Sequence, residues 1–342
     1  MRAGHEALPM ADGQDRGSSG SESVFFTRGD LAVSTRWNAR RHTDGAAMVD
    51  EILALGFGAV ELGYDLTRDL VPGVQRRVRE GAVRVVSVHN YCPVPMGVPH
   101  GSPEIFLFTD IDRDVRRRAV EHTTRTLRFA AECEARTVVA HGGYIRHWRP
   151  LMPKLLACLE RDPTSPVIGR LKRRIERRRE RRAPRHLDAL RDVVERLLPV
   201  LRETGVTLAL ENLPSWDSVP TEMECKILLE EFHGEPLGYW HDTGHGQIRE
   251  HAGFINHERL FARMLPYTVG MHVHDVRFPA ADHGLPPGGS VNFVAFAAAA
   301  AQPFPKVLEP MPGAPAAALC AAADYLVSCW TTVKGGGSSR PS

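Results

Sequence analysis

The sequence predicts an α/β protein of one domain, a (β/α)8 TIM barrel, from three observations on its 342 residues. Eight short runs rich in Val, Leu and Ile alternate with stretches of helical periodicity, which is typical of a parallel sheet. No Gly-rich phosphate or dinucleotide loop follows the first run, which favours a closed barrel over a doubly wound sheet. Polar residues recur at the ends of the runs, where a barrel places its active site.

Each predicted strand ends in a polar or Gly-containing corner. The strands cover residues 31–38, 59–65, 83–90, 137–143, 206–213, 237–245, 268–276 and 306–311. The segments between them predict helices over 44–55, 67–80, 114–134, 184–204, 221–232 and 314–330. Gly56, Gly81 and Gly205 stand where a helix is expected to stop, and Thr221 with Glu224 matches a capping box.

Two segments that follow strands are longer than the others, so the barrel has long loops after its third and fourth strands. Residues 91–110 are rich in Pro and Gly, and residues 144–182 contain most of an Arg-rich helical insertion at 161–185. Loops that follow strands lie on the catalytic face of a barrel, so we expect both to border the active site. The predicted domain covers residues 24–334, between tails at 1–23 and 335–342 that we expect to be disordered.

Composition and charge exclude several classes of function. The six cysteines have no paired spacing, which indicates reduced thiols rather than disulfides or a zinc finger. Without a recognisable signal peptide or an apolar run that could span a bilayer, the sequence predicts a soluble, cytoplasmic protein with no membrane partner. Residues 170–185 hold ten Lys or Arg against two Glu, whereas the whole chain has a net charge of only +2. The protein is therefore not a globally basic nucleic-acid binder, although one basic patch remains.

The basic patch is most simply interpreted as a helix with solvated arginines on all sides. Ile168, Leu171 and Ile175 would form its narrow packing stripe. Contact with nucleic acid through this patch is the less favoured alternative, because the rest of the chain is acidic. Tyr91 and Trp148 could stack on a base or equally on a sugar.

Chemistry-bearing residues end nearly every predicted strand, and in a barrel these ends converge on one axial site. Any one of them alone is more often structural, but such a set in register predicts a site for a divalent metal. The set comprises Glu61, His89, His141, Glu211, Asp242 with His245, His272 with His274 and Asp275, and Glu309.

Four of these strand ends resemble those of a known group of barrels. Residues 209–213 (ALENL), 241–245 (HDTGH), 271–275 (MHVHD) and 307–310 (VLEP) resemble the last four strand ends of the xylose isomerase-like TIM barrel superfamily. That superfamily holds sugar and sugar-phosphate isomerases and epimerases, together with the endonuclease IV type of DNA-repair enzyme (AP endonuclease family 2). The resemblance spans roughly residues 31–330.

The resemblance implies a metal-dependent sugar or sugar-phosphate isomerase or epimerase that transfers a proton between paired carboxylates. It implies Mn²⁺, Co²⁺, Mg²⁺ or Zn²⁺ on Glu211, Asp242, His272 and Glu309. Glu211, Glu309 and His245 are then the expected catalytic residues. The expected substrate contacts are His89, His141, Asp217, His274 and Arg277. A small sugar or phosphorylated substrate is the expected partner, with Arg36, Arg146, Arg249 or Arg277 as candidate phosphate ligands.

The alternative is a metal-dependent phosphodiesterase similar to endonuclease IV, which holds three zinc ions. That alternative extends the metal ligands to His89, His141, His245, Asp282 and His283. Asp282 and His283 are adjacent here, whereas the repair enzymes separate the two ligands by one residue. His274 and Asp275 could instead orient His272. A barrel that binds a sugar without turnover is the weakest alternative, and no pattern marks an oligomer interface, so an oligomer stays open.

Overall fold

Eight parallel strands close into a barrel in which strands that follow one another along the chain lie side by side, and the last strand pairs with the first. The computed structural model describes residues 26–146 and 148–331, and both predicted tails lie outside the described residues. The barrel strands are β1 (Leu31–Ser34), β2 (Ala59–Leu62), β3 (Val85–His89), β4 (Thr137–His141), β5 (Thr207–Glu211), β6 (Leu237–Asp242), β7 (Thr268–Val273) and β10 (Lys306–Leu308). The predicted single-domain TIM barrel is confirmed.

Helices cover the outside of the barrel, and a small antiparallel hairpin stands at its mouth. The helices are α1 (Gly45–Ala54), α2 (Val71–Arg79), α3 (Arg113–Glu132), α4 (Met152–Arg161), α5 (Pro166–Thr204), α6 (Glu222–Glu231), α7 (Thr243–His251), α8 (His257–Met264), α9 (Ala297–Ala300) and α10 (Ala316–Thr331). The hairpin consists of β8 (Asp275–Arg277) and β9 (Ala281–Gly284). None of the helices in the described part of the chain has the length and apolar character that a membrane crossing requires.

Side-chain alternation along the strands determines which residues enter the barrel. Small and apolar residues fill the interior as a cluster of their own, made by Ala32, Ala59, Val139, Ala209, Trp240 and Val307. Ala209 stands two residues before Glu211, Trp240 two before Asp242, and Val307 two before Glu309. Because side chains two apart on a strand share a face, the same parity directs the three carboxylates into the top of the barrel.

The predicted sixth strand is too long. It was expected to run over 237–245, but β6 ends at Asp242 and α7 begins at Thr243. Asp242 caps this helix, since its Oδ1 accepts a hydrogen bond of 2.6 Å from the backbone N–H of His245. Helices α4, α7 and α8 were not predicted from the sequence.

Helix α5 is one continuous element of 39 residues, which unites the Arg-rich insertion with the helix predicted at 184–204. Ser165 caps its N-terminus, and Pro184 lies inside it. The interpretation of a helix solvated on all sides is wrong for Arg179, which is only 7% exposed. The Arg179 guanidinium donates to the carbonyls of Trp216 and Ser218 and to the Glu224 carboxylate. The helix is therefore anchored to the loop after β5.

The guanidinium of Arg249, on α7, is completely buried. Its ion pair therefore allows a first test of the fold. Arg249 donates a 2.6 Å hydrogen bond to Glu222, whose side chain is 2% exposed. This placement removes Arg249 from the candidate phosphate ligands. We predict that Glu222→Ala lowers the free energy of unfolding by about 3–5 kcal/mol, because it leaves a buried cation unpaired.

Urea unfolding of purified protein measures this loss. Glu230→Ala is the matched control, because Glu230 pairs with Lys226 at the surface, where both side chains are partly exposed. We expect the control to change stability by less than about 1 kcal/mol. If both variants lose the same free energy of unfolding, then leaving the buried charge of Arg249 without a partner does not destabilise the fold more than breaking a surface pair.

Candidate functional site

Four side chains from the ends of β5, β6, β7 and β10 converge at the top of the barrel. Glu211, Asp242, His272 and Glu309 each offer one ligand atom, and the four atoms lie within 4.8 Å of one another. His272 Nδ1 is 3.1 Å from Glu211 Oε1 and 3.4 Å from Glu309 Oε2. None of the four residues is more than 3% exposed. These are the residues that the sequence predicted as metal ligands.

Strand register brings these ligands to one level. Asp242 pairs directly with His272 across β6 and β7, and His141 pairs with Glu211 across β4 and β5. Because these strands are parallel neighbours, residues in register sit at the same height above the barrel floor. Trp240 closes that floor, with its ring centroid 5.1 Å from that of His272. Gly270 permits this packing, since a Cβ there would lie 1.9 Å from Trp240 Cζ3.

Glu61 orients His272, a role expected of His274 and Asp275. Its Oε2 is 3.0 Å from His272 Nε2 and also accepts a 2.8 Å hydrogen bond from the Ser87 hydroxyl. With Nε2–H directed at Glu61, Nδ1 faces the three carboxylates and can bind a metal once it has lost its proton. Carboxylate–histidine pairs of this kind fix the ring of a metal-binding imidazole. The sequence placed Glu61 among the residues at strand ends, but it gave no indication that Glu61 contacts His272.

His274 supports Asp242 and does not face the mouth of the site. It is 0% exposed, and its Nε2 is 2.9 Å from Asp242 Oδ1. Its Nδ1 accepts a 2.9 Å hydrogen bond from the backbone N–H of His283, so both ring nitrogens are engaged. This geometry favours a role in positioning Asp242 over the expected contact with substrate. Asp275 instead accepts hydrogen bonds from the backbone of Gly288 and Gly289.

The imidazole of His245 presents one nitrogen to the site. Its Nδ1 lies 2.8 Å from the backbone carbonyl of Asn212, so it carries the proton and donates. Nε2 is then a free acceptor, suited to a metal or to a substrate hydroxyl. The Asn212 side chain also fixes β6, because its Oδ1 accepts from the Asp242 N–H at 2.7 Å. Asn212 was not among the predicted site residues, although it follows Glu211 in the motif.

His89 and His141 lie on the other side of Glu211. Their Nε2 atoms are 3.4 Å and 3.2 Å from Glu211 Oε2. That oxygen is buried and has no hydrogen bond of good geometry among the described residues. His141 Nδ1 lies 3.5 Å from Glu104, a residue of the long loop after β3 that the sequence did not single out. His89 and His141 therefore converge on the same oxygen of Glu211, and His89, Glu211 and His272 form a second group whose ligand atoms lie within 4.8 Å of one another.

The remaining predicted site residues are at the rim. Asp217 and Asp282 line a cavity beside the site. The His283 ring donates from Nδ1 to the carbonyl of Glu309 at 3.1 Å, while Arg277 is exposed on the hairpin.

Arg36 contacts the site directly, since its Nη1 is 3.1 Å from Glu309 Oε1. Tyr91 is 1% exposed and donates to the carbonyl of Phe106, so it does not stack on a ligand.

Burial and charge act in opposite directions on these groups. Burial raises the pKa of Asp242, but the neighbouring imidazoles of His245 and His274 lower it to about 2. Burial alone would lower the pKa of His141, but the charge of Glu211 and the contact with Glu104 raise it to about 9. Burial likewise opposes the ionisation of Glu211, yet His272 and His141 hold its pKa well below the usual range. The site thus keeps its carboxylates ionised although they are out of water.

The residues present fit a divalent cation. Three buried carboxylates within 4.8 Å of one another repel unless a positive charge lies between them, and His272 provides only one. Three hard oxygens and one imidazole nitrogen suit Mn²⁺, Mg²⁺, Co²⁺ or Zn²⁺. The unsatisfied oxygen Glu211 Oε2 adds a further acceptor on the same residue.

Gly244 lets the first turn of α7 approach His274. A Cβ on Gly244 would lie 1.9 Å from His274 Cε1. We predict that Gly244→Ala lowers kcat roughly 10- to 100-fold, because it displaces the imidazole that holds Asp242, and that it lowers stability by about 1–3 kcal/mol.

Steady-state kinetics and urea unfolding check both expectations for Gly244. Gly169→Ala on α5 is the matched control, because its nearest contact would be Arg173 Nη1 at 3.4 Å, the end of a flexible side chain. A Gly244 variant with the kinetics of the Gly169 variant would show that the close approach does not matter.

Comparisons with known proteins agree with this geometry. A 3-keto-D-glucoside 4-epimerase from E. coli superposes with a TM-score of 0.64 at 17% identity, over 88% of this chain and 99% of that one. A D-tagatose 3-epimerase-like protein gives 0.61 at 17% identity, over 88% and 96% of the two chains. An L-ribulose 3-epimerase gives 0.61 at 14% identity, over 88% and 94%. At these identities the likeness shows a shared fold, and no curated protein sequence matches the chain.

The xylose isomerase-like TIM barrel family matches this sequence over residues 49–310, which contain the four converging ligands and both flanking histidines. Because that match covers most of the protein, the chain belongs to the xylose isomerase-like TIM barrel family.

Proposed function

We propose that this protein is a divalent metal-dependent sugar epimerase or isomerase. One observation carries the proposal: two buried glutamates, Glu211 on β5 and Glu309 after β10, border the same ligand cluster together with Asp242 and His272. Epimerisation beside a carbonyl needs one group that removes a proton and another that returns it. The epimerases among the similar structures support this choice of reaction.

The cluster Glu211, Asp242, His272 and Glu309 would hold the metal. A bound divalent ion polarises a carbonyl oxygen and so makes the neighbouring C–H more acidic. Arg36 holds Glu309 from one side through a 3.1 Å contact, and His141 and His272 hold Glu211. Before substrate binds, nearby groups outweigh burial and hold the pKa of both carboxyls below the usual range. His272 and His141 act on Glu211, and His272, His283 and Arg36 act on Glu309.

In the proposed reaction one glutamate, as the carboxylate, accepts the proton from the carbon beside the carbonyl. The other, which has first taken a proton from water, returns it to the opposite face, and exchange with water then restores both glutamates. His245 contributes a free Nε2 that can accept a hydrogen bond from a substrate hydroxyl. His89, His141, Asp217 and Arg277 remain proposed substrate contacts. Exclusion of water from the cluster strengthens each of these polar contacts.

A phosphodiester hydrolase is the second candidate, and a specific observation favours it. The Nε2 atoms of His89 and His141 converge on Glu211 Oε2, so these three residues would hold a second metal. His245, His274 and His283 form another group that could hold a metal ion, and Asp282 is adjacent to His283 in the sequence. Paired metal ions held there would stabilise the attacking and leaving oxygens when a phosphodiester is hydrolysed.

Metal content and product analysis separate the two candidates. The epimerase is expected to purify with about one Mn, Co or Mg per chain and to convert D-tagatose, D-psicose or L-ribulose to an epimer. In D₂O the product should carry deuterium at the epimerised carbon. Two or three Zn per chain, with hydrolysis of bis(p-nitrophenyl) phosphate and no ketose conversion, would favour the hydrolase and reject the proposed epimerase.

A further inference from the structure

Six exposed arginines lie on one face of α5, in the insertion after β4. The other five follow Arg170 at intervals of three, four, seven, eleven and fifteen residues, which a helix of 3.6 residues per turn places on one side. This arginine face consists of Arg170, Arg173, Arg174, Arg177, Arg181 and Arg185. It is roughly 22 Å long, because each residue adds about 1.5 Å along the helix axis.

The opposite face of α5 is buried. Ile175 is 0% exposed and belongs to an apolar core with Leu155 and Leu159 of α4. Arg179, also on this side, forms its ion pair with Glu224. None of the arginines on the arginine face lines the cavity beside the ligand cluster. The arginine face therefore points away from the barrel and lies outside the metal site.

No carboxylate among the described residues neutralises the arginine face. Its six guanidinium groups form no ion pair with residues 26–146 or 148–331, whereas Arg191, further along the same helix, pairs with Glu231. Like charges four residues apart on a helix repel each other, and the arginine face contains four such pairs. A chain of negative charges laid along the face removes this repulsion.

An exposed tryptophan lies at the edge of the arginine face. Trp148 is 96% exposed. The backbone on both sides of it is held against α5. Arg178 Nη1 donates to the carbonyl of Arg149 at 3.0 Å, and Arg182 Nη1 donates to that of Arg146 at 3.3 Å. An indole ring so exposed loses no packing in the protein when it stacks on a planar partner.

We propose that the arginine face binds a single strand of nucleic acid, with phosphates on the guanidinium groups and a base on Trp148. The planar guanidinium fits two phosphate oxygens at once, and the face contains no lysine. Proteins that bind single strands without sequence preference combine a row of cations with aromatic rings on which bases stack. Because the strand needs only this face, the acidic remainder of the chain does not have to contact it. The proposal does not depend on the reaction at the ligand cluster.

Two other anionic partners fit the arginine face less well. A helix that binds a lipid surface has an apolar face that enters the membrane beside its cationic face. The apolar residues of α5 are instead buried against α4, as Ile175 shows. A second copy of this chain could offer carboxylates to the arginines, but carboxylates give the ring of Trp148 no partner. A single strand supplies both the charges and the rings.

Fluorescence anisotropy with a labelled oligothymidylate of about 16 nucleotides tests the proposal. The wild-type protein should bind it with a Kd of about 1–100 µM at physiological salt. A triple variant, Arg173→Gln with Arg174→Gln and Arg177→Gln, should bind roughly 10- to 100-fold more weakly. The slope of log Kd against log salt concentration should decrease by about 2, because each lost phosphate contact accounts for about 0.7. Glutamine keeps a high helix propensity, so α5 should remain folded.

The matched control removes the same charge from the opposite end of the barrel. Arg79, Arg84 and Arg136 are exposed where α2 ends and where β3 and β4 begin. Their joint replacement by Gln should change the Kd by less than about threefold, because charges far apart are screened by salt. Circular dichroism verifies that each variant is folded. No binding by the wild type, or an equal loss in both triple variants, would overturn the proposal.

Trp148 distinguishes a nucleic-acid strand from other polyanions. Trp148→Ala should weaken the binding of the oligothymidylate by roughly 5- to 100-fold, the loss that one stacked base produces. Trp148→Phe should keep most of the affinity, since a phenyl ring also stacks on a base. An unchanged Kd in Trp148→Ala would reject a stacked single strand and leave only attraction between charges.

The two other partners are tested with the same triple variant of the arginine face. At physiological salt, the wild type should not sediment with phosphatidylserine–phosphatidylcholine vesicles. Light scattering after size-exclusion chromatography should give the same mass for the wild type and the variant. Vesicle binding that is tighter than oligothymidylate binding and that the variant loses would assign the face to membranes instead. A dimer that the variant abolishes would assign it to a second copy of the chain.

Discussion

Replacing Glu309 by Gln should lower kcat roughly 10²- to 10⁴-fold, the range that loss of a general acid or base produces. Gln has the shape of Glu but cannot take up a proton at neutral pH. Glu309 is 3% exposed, and its contact with Arg36 at 3.1 Å fixes its position. The amide can keep a hydrogen bond from Arg36, so we expect the fold to be retained. Steady-state kinetics with the best ketose substrate measure the loss.

Metal content must be measured in the same variant, because Glu309 belongs to the ligand cluster. A variant that keeps its metal and loses kcat supports a role in proton transfer. Exchange of the substrate C–H proton with D₂O should fall together with turnover if Glu309 acts on that proton. Glu121→Gln is the control, since Glu121 pairs with Arg125 on the exposed surface of α3. Full turnover with full metal content in Glu309→Gln would remove Glu309 from the proposed mechanism.

The strand ends were predictable because two independent patterns coincide there. A buried strand alternates its faces, and a barrel gathers the ends of its strands, so Glu211, Asp242, His272 and Glu309 could be expected at one place. Their atoms lie within 4.8 Å of one another. The motifs that resemble the family add the identity of the residues, but the convergence follows from the fold alone.

Contacts between distant strands could not be predicted in the same way. Glu61 is 211 positions from His272, and only the closed barrel brings their side chains to 3.0 Å. Nor does the local sequence show that His274 turns toward Asp242, because a histidine at this position could equally well face the helices outside the barrel. The position of β7 against β6 and the absence of a side chain at Gly244 decide this contact.

The insertion was misjudged for a different reason. Local composition shows charge, and charge in a helix usually means solvent. Arg179 departs from that rule, because the carbonyls of Trp216 and Ser218 and the carboxylate of Glu224 offer it partners from another part of the chain. Helix α7 was missed because the run 237–245 continues a strand pattern into Thr243, where the cap formed by Asp242 begins a helix.

Removal of the metal should abolish turnover and lower the melting temperature by about 10 °C. A ligand present at 1,000 times its dissociation constant stabilises the folded state by about 4 kcal/mol, and each kcal/mol shifts the melting temperature of a chain of this size by a few degrees. The physical cause is the repulsion among Glu211, Asp242 and Glu309, which are all nearly inaccessible to water. Differential scanning calorimetry after dialysis against EDTA, and again after addition of Mn²⁺, measures both the loss and its reversal.

Glu211→Gln identifies the source of that shift. This substitution removes one of the three buried charges and weakens the ligand set, so Mn²⁺ should raise the melting temperature of the variant by no more than a few degrees. Because the repulsion is smaller, the metal-free variant should lose less stability relative to its own metal-bound form than the wild type does. Glu121→Gln, at a surface pair with Arg125 on α3, should leave the full response to Mn²⁺ intact. An equal response to Mn²⁺ in wild type and Glu211→Gln would mean that the stabilising ion binds elsewhere, and the cluster on β5, β6, β7 and β10 would lose its role as the metal site.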